Sequence, residues 1–444
     1  MSGTLRLLRL EARRNPGLWL LPLLVGVAWW LATDKLPGLV ALWLDTSLGI
    51  RSTIVFLGPV MGGLAAWVAE VDRRRRVEEL LASTPRPSAL RDLLRPGGTL
   101  LWGVLTYATV AAALLSLTSL RATWGGPHWQ ALQVGLLAIA ACSALGYAAG
   151  AYARSRFTAP LVAVALFVAQ LLPGVQSEIR SLSPFDDAYR SVFFSPEPDA
   201  GLPHTLWLLG LTAVGAAALV LRGRRTPLAW GALAMAIAIA GTGAAMVLQA
   251  DYPARRVPIP YEPVCETAAQ GIPVCVHPAY RAMLPETAAL VGRIAGPLVG
   301  VPGGPQRAEQ GQPNEWDFLP DGTLRFELLG HPVAYRTLEE NASRALIGDE
   351  TRAQLAVMLW LQAQAGADVS PLLRGMVDGD EIGAAAQRFA ALDPQVRRAW
   401  LEEHFAALRK GEVGVEDLPV PAEALREWVR RQTPVSIFPP ERTE

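Results

Sequence analysis

Three groups of residues have types and spacings suited to chemistry or docking. Cys265 and Cys275, with nine residues between them in a segment rich in Pro, Val and Ile, suit a small disulfide-closed hairpin or loop. Disulfides persist outside the cytosol, so the pair points to an extracytoplasmic segment; two unpaired buried thiols are the alternative. The second group is the charged amphipathic stretch 70–95, where Arg73 to Arg76 follow an apolar run and Leu80, Leu81, Leu90, Leu93 and Leu94 form apolar faces on two short helices. The turn Thr84-Pro85-Arg86-Pro87 breaks those helices apart. Such a stretch suits docking to another protein, and a plain solvated loop is the alternative. The third is the outer stretch Leu182-Ser183-Pro184-Phe185 with Arg190.

Patterns for catalysis are missing from the sequence. There is no His-Glu-x-x-His and no Gly-x-Ser-x-Gly elbow. A phosphate-binding loop needs Gly-x-x-x-x-Gly-Lys-Ser/Thr, and neither Lys35 nor Lys410 lies in one. His277, His331 and His404 are far apart in different settings, so no metal site is expected. Asn341-Ala342-Ser343 matches a glycosylation acceptor and is read as a helix start. No catalytic residue and no bound cofactor are assigned to this chain.

The elements that position these groups follow from the distribution of apolar residues. Hydrophobic residues make up 51% of the 444, and charge is crowded into the last 190 or so. A helix crossing the hydrocarbon core needs about 20 apolar residues. Seven runs approach that length, at 17–33, 52–69, 99–120, 130–152, 158–174, 204–221 and 227–249. None holds an Asp, Glu, Lys or Arg in its interior, which disfavours an ion-coupled carrier. Lys35, Arg51, Arg121, Arg180 and Arg190 are 5 basic residues on one side of the resulting topology, against 16 arginines on the other. The arginine-rich side is therefore expected in the cytoplasm, with the C-terminal region outside. Were the seventh run only a buried helix, that region would be cytosolic. The net charge of +0 and the clustering of arginines at membrane edges give no sign of nucleic-acid binding.

Ahead of the first run, Leu5, Leu8 and Ala12 share a helical face opposite Arg6, Arg9 and Arg13, and Asn15-Pro16-Gly17 makes an elbow. This basic interfacial helix, a second span ending in an acidic residue, and then Glu78-Glu79-Leu80-Leu81-Ala82-Ser83-Thr84-Pro85 together resemble the permease subunit of an ABC-2 type transporter. The family's loop reads Glu-x-x-x-Gly-Thr-Leu-Glu-x-Leu-Leu-x-Thr-Pro, and here Arg76-Val77 replaces its Gly-Thr. Leu182-Ser183-Pro184 resembles the Leu-Ser-Pro stretch after the fifth span. The similarity covers residues 1–225. It implies a subunit of a bacterial cell membrane that forms a translocation path, hydrolyses nothing, and binds a separate ATPase carrying ATP and Mg. It also implies pairing with a second copy or a related permease. The coupling helix would dock through Leu80, Leu81 and Leu90 in an apolar groove, with Arg76, Glu78, Glu79 and Arg86 at the rim and Ser83, Thr84 and Pro85 ending it. The outer loop from Val175 to Pro203, which holds Leu182, Ser183, Pro184, Phe185 and Arg190, would cap the path as short re-entrant helices, a plain surface loop being the alternative.

The expected fold is thus an α-helical polytopic membrane protein of seven spans with its N-terminus inside, followed by a mainly helical α+β domain. Its parts are a permease core at 1–225, a seventh span at 226–250, a proline-rich linker at 251–262 and an extracytoplasmic domain at 263–444. In that domain the sequence predicts helices at Pro285–Ile294, Asp349–Gln364, Asp380–Leu392, Pro394–Leu408 and Pro421–Gln432, and a hairpin around Pro320-Asp321-Gly322. Substrate capture or partner binding is its expected role. A membrane-anchored sensor or scaffold without transport is the rival reading of the whole chain.

Overall fold

The computed structural model describes residues 9, 12–34, 36, 38–74, 88–153, 155–184, 191–196, 201–223, 225–249, 256–312, 315–330, 334–376 and 378–419. The chain is mostly helical and forms two compact units, Met1–Pro260 and Tyr261–Glu444.

The first unit contains α1 (Gly17–Thr33), α2 (Trp43–Ser52), α3 (Ile54–Arg74), α4 (Ser88–Ser119), α5 (Trp129–Tyr152), α6 (Thr158–Val175), α7 (Gly201–Gly223) and α8 (Pro227–Gln249). Five stretches among the described residues are long and apolar enough to cross a membrane: Trp43–Glu70, Arg95–Ser119, Trp129–Tyr152, Gly201–Gly223 and Pro227–Gln249. The expected seven are met only in part, because Gly17–Thr33 and Thr158–Pro173 are apolar but short. At 1.5 Å per residue, the 17 residues of α1 reach about 26 Å, less than a hydrocarbon core of about 30 Å.

Glycine and alanine decide how these helices pack. A Cβ added at Gly146 of α5 would overlap the carbonyl of Gly62 in α3, and one at Gly150 would overlap that of Ala66. The two backbones therefore touch along a small-residue seam, the packing that serves helices where no hydrophobic effect drives association. The same device joins α7 to α8, with Gly210 against Ala240 and Gly243 against Trp207, and α5 to α7, with Gly215 against Ala144. Around the seams Leu24, Ile50, Ile54, Leu57, Met61, Tyr107 and Ile139 form the core.

Three local differences from expectation have simple causes. The helix after the 84–87 turn does not stop before the third span: α4 runs unbroken from Ser88 to Ser119 through Pro96. Thr53 separates α2 from α3, its hydroxyl donating to the Ile50 carbonyl at 2.7 Å. The proline-rich linker is not all free chain, since β2 (Arg256–Pro258) pairs antiparallel with β1 (Phe194–Pro196). Val257 lies opposite Ser195, and the Ile259 amide donates to the Phe193 carbonyl at 2.9 Å.

The second unit is built on a five-stranded sheet in the order β3 (Val264–Thr267), β4 (Pro273–Val276), β5 (Arg307–Gln310), β7 (Thr323–Phe326), β6 (Asp317–Phe318). β4, β5 and β7 are parallel, and the two edge strands are antiparallel. The hairpin expected around Pro320-Asp321-Gly322 joins β6 to β7: Gly322 takes φ +82°, and the Asp321 carboxylate accepts from the Thr323 amide at 3.0 Å. Helices α9 (Leu284–Ala295), α10 (Ala334–Ile347), α11 (Arg352–Ala365), α12 (Ser370–Gly375), α13 (Gly379–Ala390) and α14 (Pro394–Arg409) complete the unit. The helix expected at 421–432 lies outside the described residues.

α11 is the central helix of this unit, with Val357, Leu359 and Leu361 buried. Its start is fixed by a capping box between Thr351 and Gln354, and its end by Gly366 at φ +95°. Gln354 is buried with its carboxamide fully used. Its Oε1 accepts from the amides of Glu350 and Thr351 at 2.9 Å each, while Nε2 donates to the carbonyls of Leu408 and Arg409 at 3.0 and 3.1 Å. One side chain thereby joins the start of α11 to the end of α14.

Candidate functional site

The helical unit carries two polar layers along α4. Thr99 and Thr118 lie in that helix, and their spacing corresponds to about 28 Å of axial rise.

The layer at Thr99 ties the N-terminal elbow to α4. Asn15 Nδ2 donates to Thr99 Oγ1 at 2.9 Å, and Asn15 Oδ1 accepts from the Gly17 amide at 2.9 Å. Trp102 Nε1 donates to the Ala12 carbonyl at 2.9 Å. Asn15 is buried, so its two bonds satisfy groups that would otherwise be stranded.

The layer at Thr118 links α2 to the end of α4, to His128 and to the segment 177–184, which α7 also holds. Thr46 and Thr118 share a hydrogen bond of 2.7 Å, and the His128 amide donates to Ser47 Oγ at 3.0 Å. Arg51 Nε donates to the Pro184 carbonyl at 2.5 Å. A ring nitrogen of His204 lies 3.0 Å from the Ser181 carbonyl; a carbonyl only accepts, so that nitrogen carries the proton. The segment they grip is a 3₁₀ turn, Ser177–Leu182, followed by Ser183 in an extended conformation and then Pro184. Ser183 is 1% exposed, and its hydroxyl has no hydrogen-bond partner among the described residues.

The sequence-predicted residues divide accordingly. Arg76, Glu78, Glu79, Leu80, Leu81, Ser83, Thr84, Pro85 and Arg86 lie outside the described residues, as do Phe185 and Arg190. Leu90 lies in α4, where the backbone alone is described. Leu182, Ser183 and Pro184 form the gripped segment, a 3₁₀ end with an extended tail. Sequence reasoning counted Arg51 only as a topology marker and gave His204 no role. The signal for Arg51 was available: it is the single basic residue between Lys35 and Arg73.

In the second unit Cys265 and Cys275 face each other directly across β3 and β4 and are bonded. His277 is buried; its Nδ1 accepts from the Ala279 amide at 3.1 Å, and burial pushes the imidazole down to about 4. His404 stacks on Trp400 with ring centroids 4.9 Å apart. No group of three or more His, Cys, Asp or Glu is placed to hold a metal ion among the described residues. Asn341 and Ser343 are both buried within α10, which removes the sequon from any glycosyl transfer in the folded chain. Gln362 Nε2 donates to that serine hydroxyl at 2.8 Å, so the Asn-Ala-Ser triplet serves the core.

No family model, no curated protein and no solved structure matches this chain.

Proposed function

We propose that this chain is the membrane-spanning subunit of an ATP-driven exporter of the ABC-2 kind. It lines the translocation path and docks a separate ATPase through the loop 70–95. The single structural observation that best supports the reading is the continuity of α4, which starts at Ser88, three residues after the Glu78–Pro85 motif, and runs to Ser119. A push on the docking loop is then passed along one continuous helix whose far end reaches the polar layer at Thr118.

In this reading α1 and α6 complete a seven-pass bundle in a bacterial cell membrane. The two polar layers support that count. Arg51 and Pro184 are bonded with four helices between them, and Phe193 and Ile259 with two. An even number of crossings between bonded loops is what a membrane requires. With the arginine-rich side inside, the segment after Pro258 starts on the outside, where the Cys265–Cys275 bond persists. The C-terminal unit is then an extracytoplasmic domain for substrate capture or partner binding. ATP and Mg belong to the partner ATPase, and two permease chains, identical or related, build one path.

Pull-down of the ATPase encoded beside this chain tests the docking. The parent chain is expected to recover it, and Leu80→Asp with Leu81→Asp is expected to lose it while still inserting into membranes. Recovery by the double variant would rule out docking through this loop, and a kinase or sigma-factor regulator as the sole neighbour would favour a sensor.

A further inference from the structure

The end of the 3₁₀ turn at 177–182 holds its carbonyls in an unusual way. Chain ends of this kind usually pair their carbonyls with water or with a following backbone amide. Here two of them are taken by side chains from other helices: Pro184 O by Arg51 of α2, 133 residues away, and Ser181 O by His204 of α7, 23 residues away. The two donors approach from different helices, so both must let go, or both helices must move together, for the segment to lift. Beneath them Ser183 is sealed at 1% exposure with a hydroxyl that finds no partner among the described residues. Among the described residues that hydroxyl gains nothing from the closed position, and water would bond it in an open one. The segment is therefore held by a charge-assisted bond from Arg51 and a ring N–H bond from His204, two contacts that can be made or broken together.

We propose that Arg51 and His204 form a two-point latch that holds the segment Ser177–Pro184 against α2 and α7. The latch itself follows from these contacts. That it opens to release cargo rests on the permease reading.

The test is thiol accessibility at Ser183 in the full-length chain, purified into lipid nanodiscs so that both faces meet reagent. The parent chain is the blank, since its one free thiol, Cys142, is buried and the other two are bonded. Ser183→Cys is expected to react slowly with a polar maleimide. Adding Arg51→Gln or His204→Ala is expected to raise the rate, and adding both to raise it about tenfold or more, given the worth of two hydrogen bonds. Thr118→Cys, buried in the same layer but outside the latch, is expected to stay slow in every background. An unchanged rate at Ser183→Cys, or an equal rise at Thr118→Cys, overturns the latch. A separate arm adds the partner ATPase and ATP to the chain carrying Ser183→Cys alone: faster labelling supports opening as a transport step. Faster labelling in the latch variants with no response to ATP keeps the latch and refutes its role in transport.

Discussion

Asn15 and Thr99 are joined by a 2.9 Å hydrogen bond across 84 residues of chain, and the same carboxamide caps the first amide of α1. The elbow before the first apolar helix is thus fastened to the helix that follows the docking loop, 11 residues after its start. Replacing Asn15 by Leu keeps the volume and strands both the Gly17 amide and the Thr99 hydroxyl. A loss of about 1–3 kcal/mol is expected, read as a lower thermal midpoint in detergent. An unchanged midpoint would mean that water takes over both partners.

Glycines of similar sequence context are predicted to behave oppositely. At Gly146 a side chain meets the Gly62 backbone, whereas at Gly231 nothing lies within 4 Å. Gly146→Leu is expected to force α3 and α5 apart at a cost of at least about 1–3 kcal/mol, with loss of the monodisperse peak on gel filtration. Gly231→Leu is expected to elute like the parent. Equal behaviour of the two variants would contradict the packing of α5 on α3.

The disulfide closes a short loop, so its removal releases entropy in the unfolded chain. Cys265→Ser with Cys275→Ser is expected to lower the stability of the second unit by about 2–3 kcal/mol, measured by urea unfolding with and without reductant. Thiol trapping in intact cells adds a topological check. Bonded cysteines agree with an extracytoplasmic domain, and free thiols at both positions would argue for the cytosol.

Burial of His277 links the second unit to pH. Its imidazole is held down to about 4 when folded and returns to about 6.5 when unfolded, so the unfolded chain binds the extra proton between those values. Stability from this residue is present above about pH 6.5 and is lost as pH falls through 4, by up to about 3 kcal/mol. Protonation also removes the acceptor for the Ala279 amide. Comparing unfolding midpoints at pH 7 and pH 4.5, the drop is expected to shrink in His277→Gln; an identical drop would assign it to other groups.

How far the sequence reveals this molecule depends on the range of the interaction. The apolar runs are local, and each of the seven became a helix between α1 and α8 within a few residues of its expected ends, apart from the 11-residue extension that carries α4 back to Ser88. The turn at Gly322 was legible because its chemistry sits in three consecutive residues. Arg51 and Pro184, by contrast, are brought together only by four intervening helices, and no local pattern announces a side chain that bonds a carbonyl 133 residues on. The parallel strands β4, β5 and β7 were missed for the same reason, since each pairing needs a crossover connection. Gly62 and Gly146 stood in the sequence as small residues, but which seam they form depends on helix rotation.

The most direct test of the permease reading is co-purification of the full-length chain with the ATPase encoded beside it, followed by an ATP hydrolysis assay in lipid. A stable complex is expected, with a hydrolysis rate different from that of the ATPase alone, and Leu80→Asp with Leu81→Asp is expected to lose both the complex and the effect. An ATPase that neither binds this chain nor changes its rate in its presence would contradict the account.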